Sequence, residues 1–402
     1  QISNVEKNKI SPSIATLRKI LNGLGVGMAD FFEPERTLPA GPFFGVHDLI
    51  DLTREIADKV LAPIVDEHEK AETYPEGVFA TLGEAGLLSL PYPEEFGGGG
   101  QPYEVYLQVL EEIAARWAAV GVAVSVHSLA CHPLNAFGTD DQKQRWLPEM
   151  LGGSLIGAYS LSEPQAGSDA AALACKAVPS SGADGEDGYL VTGTKAWITH
   201  GGRADFYNLF ARTGEGSRGI SCFLVPDGLD GLTFGKPEEK MGLHAIPTTA
   251  AYYDGAFIPA ERRIGDEGQG LQIAFSALDS GRLGIAAVAV GIAQAALDDA
   301  VAYANERTAF GRKIIDHQGL GFLLADMAAA VDSARATYLD AARRRDADRD
   351  PDDRRAPGFL LVGVGSVRAG RFQKCGSRGD KDTHLHHHRQ HQLSSDWPHP
   401  RG

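Results

Sequence analysis

Apolar positions recur with two different spacings along the chain, and the change between them divides it into blocks. Helical spacing predicts helices over residues 47–70, 75–86, 103–119 and 140–151, the last with Asp140 as its N-terminal cap. Runs rich in β-branched and aromatic residues, separated by Gly and Pro, predict strands over 188–199, 206–212, 220–226 and 249–259. Helical spacing returns at residue 268, and a second long helix is predicted over about 318–346.

This order of elements favours the α+β class, because segregated strands and helices argue against a doubly wound parallel sheet. We predict an N-terminal α-helical domain over residues 41–155 and a central antiparallel β domain over 156–266. A C-terminal helical bundle, expected to be truncated, follows over 267–350. The chain contains no GxGxxG motif, so a Rossmann-type nucleotide site is unsupported.

Two terminal segments do not fit these blocks. Residues 1–40 resemble the later part of a Cro-type helix-turn-helix domain, in which residues 1–6 belong to the recognition helix. The helices that should precede them are missing, so we expect a partial helix-turn-helix remnant that does not bind DNA. The formal net charge of −15 also argues against broad nucleic-acid binding.

Residues 351–402 form an irregular, basic, His-rich tail. Nine Lys and Arg face five Asp there, and no Glu follows Glu306. The clustered His side chains lack carboxylate or Cys partners, so no metal site is predicted. We hypothesise that the tail is an out-of-frame translation of the gene's 3′ end. Translating the other two frames tests this hypothesis.

The spacing of the cysteines and the length of the apolar runs indicate the cellular compartment of the protein. Cys131, Cys175, Cys222 and Cys375 show no CxxC or zinc-like spacing, which is typical of unpaired thiols in a reducing compartment. No apolar run reaches the roughly 18 residues of a spanning helix, and the chain start lacks a secretion-signal layout. We therefore expect a cytoplasmic protein with no membrane partner.

Several motifs resemble one enzyme family. The stretch GAYSLSEPQAGSD (157–169) is rich in hydrogen-bonding groups, and VTGTKAWITHGGRADFYNLFART follows at 191–213. EKMGL (239–243), GDEGQG (265–270) and two long helical stretches at 278–318 and 324–342 continue in the same order. Together these motifs closely resemble the acyl-CoA dehydrogenase family, most of all its short- and branched-chain members, over residues 43–346.

The resemblance implies a flavoprotein that uses FAD to convert an acyl-CoA thioester to its trans-2-enoyl-CoA. A flavin needs hydrogen-bonding groups along one ring edge and flat apolar support on a face. By resemblance, the FAD contacts of the subunit itself are Tyr159, Leu161, Ser162, Gly167, Ser168, Trp197, Ile198 and Thr199. Without the other motifs, this region would be interpreted as a polar bend beside a core Trp.

The resemblance also implies an assembly and two partners. Arg307, Phe310 and Gln318 would contact the FAD of a neighbouring subunit, which implies a homotetramer or homodimer. Ser168, Asp279 and Arg282 would line the acyl-CoA cleft, and an electron-transfer flavoprotein would be the redox partner. The alternatives are a solvated basic helix end at Arg307 and a helix-start salt bridge between Asp279 and Arg282.

The catalytic base departs from the family pattern. Removal of the weakly acidic α-proton needs a carboxylate as general base. In most members this is a Glu in a C-terminal Glu-Gly-Thr run, and in some it directly precedes the Arg matching Arg282, where this chain has Gly281. We find neither, and therefore predict no catalytic residue here and impaired turnover. An inactive relative that binds FAD or acyl-CoA and a ligand-sensing transcriptional regulator stay as alternatives.

Overall fold

The structure, a computed structural model, describes residues 46–349. The predicted helix-turn-helix remnant, with the regulator hypothesis built on it, and the basic tail lie outside the described residues. The N-terminal helical domain contains α1 Val46–Ile56, α2 Val65–Ala71, α3 Val78–Glu84, α4 Tyr103–Arg116, α5 Ala118–Phe137 and α6 Asp140–Leu151.

Two of these elements differ from the predicted ones. The helix predicted over 47–70 is interrupted, because a π-helical turn, Ala57–Leu61, follows α1 and Pro63 separates it from α2. The predicted cap Asp140 is the first residue of α6. The cap itself is Thr139, which forms a capping box with Gln142.

The central domain is a predominantly antiparallel sheet. Its strands are β1 Gly157–Ser160, β2 Lys176–Ser181, β3 Asp187–Thr199, β4 Phe206–Arg212, β5 Ile220–Pro226, β6 Leu232–Phe234, β7 Thr248–Pro259 and β8 Arg263–Ile264. They lie in the order β6-β7-β3-β2-β4-β5-β8, with β1 beside β4. The pairs of β4 with β1 and with β2 are parallel. One apolar cluster lies within this sheet, and another fills the space between the sheet and the helices.

The C-terminal domain has two long helices, α7 Gly270–Glu306 and α8 Gln318–Arg349, joined by the short hairpin of β9 Thr308–Ala309 and β10 Arg312–Lys313. Glu111 of α4 is buried and accepts hydrogen bonds from Arg335 and Tyr338 of α8. The N-terminal and C-terminal helices thus share one apolar core. The α+β class and the three-domain order predicted from the sequence are confirmed.

Two of the described helices, α5 and α7, are long and apolar enough to cross a membrane by length and composition. In the tested segment of α5, 67% of the residues are buried against the rest of the chain, compared with 28% for α7. Core helices of soluble proteins meet the same criteria, so this finding is weak evidence for a membrane span. The larger exposed fraction of α7 reflects apolar side chains on its outer face, among them Ile285 and Ile292.

Candidate functional site

The bend after β1 and the end of β3 lie side by side. The amide of Ala196 donates a hydrogen bond to the carbonyl of Ser162 at 2.9 Å. The Nζ of Lys195 donates to the carbonyl of Leu161 at 3.0 Å. Within the bend, Glu163 and Ala166 exchange two backbone hydrogen bonds, which close a tight turn. The two segments that the sequence analysis assigns to one site are therefore in direct contact.

Trp197 lies on a β-bulge that turns its side chain out of the sheet. The pairing of β3 with β7 is regular from Thr192 to Lys195 and resumes at Ile198, with one extra residue of β3 in between. Trp197 has a φ of +57° and its side chain is 54% exposed, although Ala196 and Ile198 are buried. A left-handed conformation is unusual for a bulky aromatic residue and persists only where surrounding contacts impose it. The bulge thus presents a flat aromatic surface beside the bend.

Some side chains around this surface are free to contact a ligand, and others are buried or already hydrogen-bonded within the protein. Ser162 and Thr199 are half-buried, and Gly167 and Ser168 are exposed. A Cβ added at Gly167 would meet no described atom within 4 Å. Tyr159 instead donates its hydroxyl to the carbonyl of Ala274 at 3.1 Å. Leu161 and Ile198 are buried, so these two and Tyr159 offer a ligand mainly their backbone.

An exposed aromatic face beside available hydroxyls fits a planar heteroaromatic ring with a polar edge, such as the isoalloxazine of FAD. A metal does not explain the arrangement. Among residues 46–349, no group of three or more His, Cys, Asp or Glu side chains could hold a metal ion. We call the surface formed by the bend 159–169 and Trp197 the flavin slot.

A buried ion pair lies behind the flavin slot, and the sequence analysis missed it. Glu163 and Lys195 are 2% and 0% exposed, with 2.7 Å between Oε1 and Nζ. Burial raises the pKa of Glu163, but Lys195 and the amides of Ala174 and Cys175 outweigh this effect, so its pKa lies below the usual value. Burial lowers the pKa of Lys195. The only sequence signal was a Glu and a Lys within the two recognised motifs.

Two buried histidines support the same region from the helical side. His127 of α5 accepts a hydrogen bond from the amide of Gly157, where β1 begins, at 3.1 Å. His200 follows Thr199, has a φ of +65° and lies 3.3 Å from the carbonyl of Ala123. Burial lowers the pKa of His127 to about 3 and that of His200 to about 4. Both imidazoles are therefore neutral at physiological pH.

The residues predicted to reach a neighbouring subunit form a separate group. Arg307, Phe310 and Gln318 lie around the hairpin between α7 and α8, and all three are exposed. Phe310 is 97% exposed and has a φ of +52°. An aromatic ring and a guanidinium held in solvent at one hairpin are suited to an external contact.

The predicted cleft residues lie on α7. Asp279 and Arg282 form an exposed ion pair at 2.8 Å. The salt bridge of the alternative interpretation is therefore present, but it lies well inside α7 and not at the helix start. Gly281 borders a small cavity of about 20 Å³, lined also by Ser125, Ser128 and Leu129 of α5. Arg345 lies 3.7 Å over the ring of Tyr103 at the same cavity.

Known proteins match this chain across all three domains. Models of the acyl-CoA dehydrogenase N-terminal, middle and C-terminal domains match residues 46–154, 158–256 and 268–358. The mitochondrial short-chain specific acyl-CoA dehydrogenase of Sus scrofa is 42% identical over 301 residues, covering 74% of this chain and 72% of that protein.

Two solved structures have the same fold. Butyryl-CoA dehydrogenase from Megasphaera elsdenii gives a TM-score of 0.72 at 36% identity, over 75% of this chain and 79% of that one. A chain from a structure of the electron transferring flavoprotein of Acidaminococcus fermentans also gives 0.72, at 38% identity, over 77% and 80%.

Proposed function

This chain belongs to the acyl-CoA dehydrogenase family, and from that premise we propose that it catalyses the FAD-dependent α,β-dehydrogenation of a short-chain acyl-CoA. It is a flavoprotein oxidoreductase of fatty acid metabolism. The observation that carries the proposal is the flavin slot, with Trp197 exposed on its bulge beside the hydroxyl of Ser162. When bound, FAD supplies the acceptor for the hydride that leaves the acyl β-carbon.

We propose that different residues of the slot contact different parts of the ligands. The indole of Trp197 supports one face of the ring system. The hydroxyls of Ser162 and Thr199 and the backbone at Tyr159, Leu161 and Ile198 hydrogen-bond along its edge. Ser168, which is exposed next to Gly167, is proposed to reach the CoA portion of the ligand.

A short acyl chain is supported by the relatives, which include a short-chain specific and a butyryl-CoA dehydrogenase, and by the crowded space beside Gly281. The hydroxyl of Tyr103 donates to the carbonyl of Ser280 at 2.8 Å. The guanidinium of Arg345 covers the Tyr103 ring and contacts Ser280 Oγ at 3.1 Å. These side chains leave a cavity of only about 20 Å³ beside Gly281, which is too small for a long acyl chain. Asp279 and Arg282, exposed on the same helix, are proposed to line the entrance.

We further propose a homotetramer or homodimer in which the hairpin between α7 and α8 reaches a neighbouring subunit's FAD through Arg307, Phe310 and Gln318. Exposed apolar side chains on both long helices, including Ile292 and Phe322, support a protein contact there. The redox partner is proposed to be an electron-transfer flavoprotein. A cytoplasmic location is supported by three buried free thiols in the described chain.

The first experiment tests the flavin slot by titrating purified apoprotein with FAD. We expect Trp197→Ala to raise the Kd for FAD about ten-fold or more, since about 1.4 kcal/mol of aromatic contact corresponds to that factor. Trp146→Ala is the control, because Trp146 lies on α6, outside the bend and the bulge, with the guanidinium groups of Arg145 and Arg262 each 5.1 Å from its ring centroid. Equal FAD affinity in wild type and Trp197→Ala contradicts the slot.

The second experiment tests whether the absence of a catalytic base limits turnover, by introducing a carboxylate at position 281. We propose that turnover is low because residue 281 is Gly and no Glu follows Glu306. A Cβ at 281 would lie 3.1 Å from Leu129 Cδ1, so a larger side chain needs only a small shift of that flexible side chain. We expect Gly281→Glu to speed anaerobic reduction of bound FAD by butyryl-CoA by about 100-fold, as a general base does, and the isosteric Gly281→Gln to leave it slow.

Wild-type protein that is reduced as fast as Gly281→Glu contradicts the proposed impairment and leaves the dehydrogenase assignment intact. A third outcome is that wild-type protein binds FAD but butyryl-CoA reduces the flavin in neither wild type nor Gly281→Glu. That outcome contradicts the proposed substrate class.

A further inference from the structure

We propose that the buried ion pair of Glu163 and Lys195 sets the geometry of the flavin slot, so that both are positioning residues for FAD binding. The proposal rests on the proposed function of the slot. Neither side chain reaches the slot surface, because both are almost fully buried. They act through the bend that carries Ser162 and the bulge that carries Trp197.

The pair ties three segments together. Nζ of Lys195 donates to Glu163 Oε1 and to the carbonyl of Leu161, at 2.7 and 3.0 Å. Glu163 Oε1 also accepts the amide of Cys175 at 3.0 Å, and Oε2 accepts the amide of Ala174 at 2.6 Å. The side chain of Gln165 donates to Oε2 at 2.6 Å. The carboxylate thus holds the bend, β3 and the start of β2 at fixed separations.

The ion pair is linked to Trp197 because Lys195 lies in β3 directly before the bulge. Lys195 is the last residue of β3 in register with β7 before the bulge. The bulge consists of Ala196 and Trp197, and Trp197 has the left-handed conformation. The amide of Ala196, freed from β7 by the bulge, donates to Ser162. Without the pair, the Ala196 bond is the one described hydrogen bond that still ties the bend to β3, and the bulge loses contacts that help to impose its strained backbone.

Stability alone is a poor explanation for such a pair. Replacing a buried ion pair by neutral groups of similar volume is often neutral or stabilising, because the cost of desolvating two charges offsets their attraction. What a fully hydrogen-bonded pair provides is a fixed geometry. The expected signature is therefore a loss of FAD binding that exceeds any loss of folding stability.

The experiment removes both charges together, so that no single charge stays buried. In Glu163→Gln/Lys195→Met, we expect the melting temperature of the apoprotein to stay within a few degrees of wild type and the Kd for FAD to rise about ten-fold. We also expect the visible circular dichroism of the remaining bound flavin to change, because the ring edge meets displaced partners. A purely structural pair would leave this spectrum unchanged.

The matched control is the surface pair of Arg145 and Glu261, which has an N···O distance of 3.0 Å with both side chains more than half exposed. Arg145→Gln/Glu261→Gln should leave the Kd for FAD and the flavin spectrum at wild-type values. If the double variant of the buried pair also keeps both values, the proposal is wrong.

A gentler substitution covers the case in which that double variant does not fold. Glu163→Asp keeps the charge but shortens the side chain by one methylene, so the carboxylate cannot hold Lys195 and the two amides at once. We expect the same weaker FAD binding and altered flavin spectrum, and unchanged values overturn the proposal. Wild-type protein that binds no FAD contradicts the proposed function itself, whereas unchanged variants of an FAD-binding protein contradict only the role of the pair.

Discussion

The four residues 197–200, at the end of β3 and just beyond it, include two with a left-handed backbone. Trp197 and His200 are both left-handed, and Thr199 lies between them with its side chain half-buried. His200 is buried and contacts the carbonyl of Ala123, so the helical domain holds this segment from behind. The hydroxyl of Thr199 is thus positioned by residues that never reach the slot.

The neutral state of His200 predicts acid sensitivity. Its pKa is about 4 in the folded protein, below the unfolded value of about 6.5. Between these values the unfolded chain binds the proton and the folded chain does not, so stability is complete above pH 6.5 and is lost as the pH falls towards 4. We expect about 2 kcal/mol of the free energy of unfolding to depend on His200 between pH 7 and pH 5.

Urea unfolding at the two pH values measures this contribution. His200→Gln cannot be protonated and keeps a donor for Ala123, so the variant should lose about 2 kcal/mol less than wild type on acidification. The comparison uses each protein's own change with pH, so any loss of stability at pH 7 cancels. Identical pH dependence in the two proteins would show that His200 does not resist protonation in the folded state.

At the scale of elements, the approach of α7 to α4 depends on small residues. A Cβ at Gly291 would lie 2.3 Å from the carbonyl oxygen of Glu111 and 3.1 Å from the amide nitrogen of Ala115. Both contacts are with the backbone of α4, which cannot move away as a flexible side chain does. Glycine therefore sets the distance between these two helices, and with it the position of Asp279 to Arg282 further along α7.

We predict that Gly291→Ala lowers the free energy of unfolding by about 1–3 kcal/mol, the cost of overpacking a close helix contact. Gly319→Ala is the control, because a Cβ there meets no described atom within 4 Å and Gly319 lies in the first turn of α8. That variant should be unchanged or up to about 1 kcal/mol more stable, since Ala favours helix. Equal effects of the two substitutions in urea unfolding would contradict the close contact.

The elements also show where prediction from local pattern failed. No helix was predicted over most of 118–137, which forms α5. Its buried residues lie on nearly every side of the helix, so it has no polar face to reveal a helical period, and Pro133 lies inside it. The short strand β1 was not predicted as an element either, although it leads directly into the bend of the flavin slot.

For the molecule as a whole, the two sets of helices pack against each other, and the central sheet carries the flavin slot. Glu111 joins α4 to α8 through Arg335 and Tyr338, and Arg335 also reaches Gln294 of α7. These bonds, with the shared apolar core, make the N-terminal and C-terminal helices one packed body. The sheet contributes the slot, and the helices hold both of its walls through Ala123, His127 and Ala274.

The sequence by itself determined the family, the three-domain order and the segments of the proposed site, because these depend on motifs and apolar periods that are local in the chain. It also named Trp197 and Ser162. Only the tertiary structure decided how these residues are presented. The bulge that exposes Trp197, the ion pair of Glu163 with Lys195 and the burial of the Tyr159 hydroxyl against α7 each join residues distant in sequence. Such contacts depend on which segments pack together, and no local pattern encodes that.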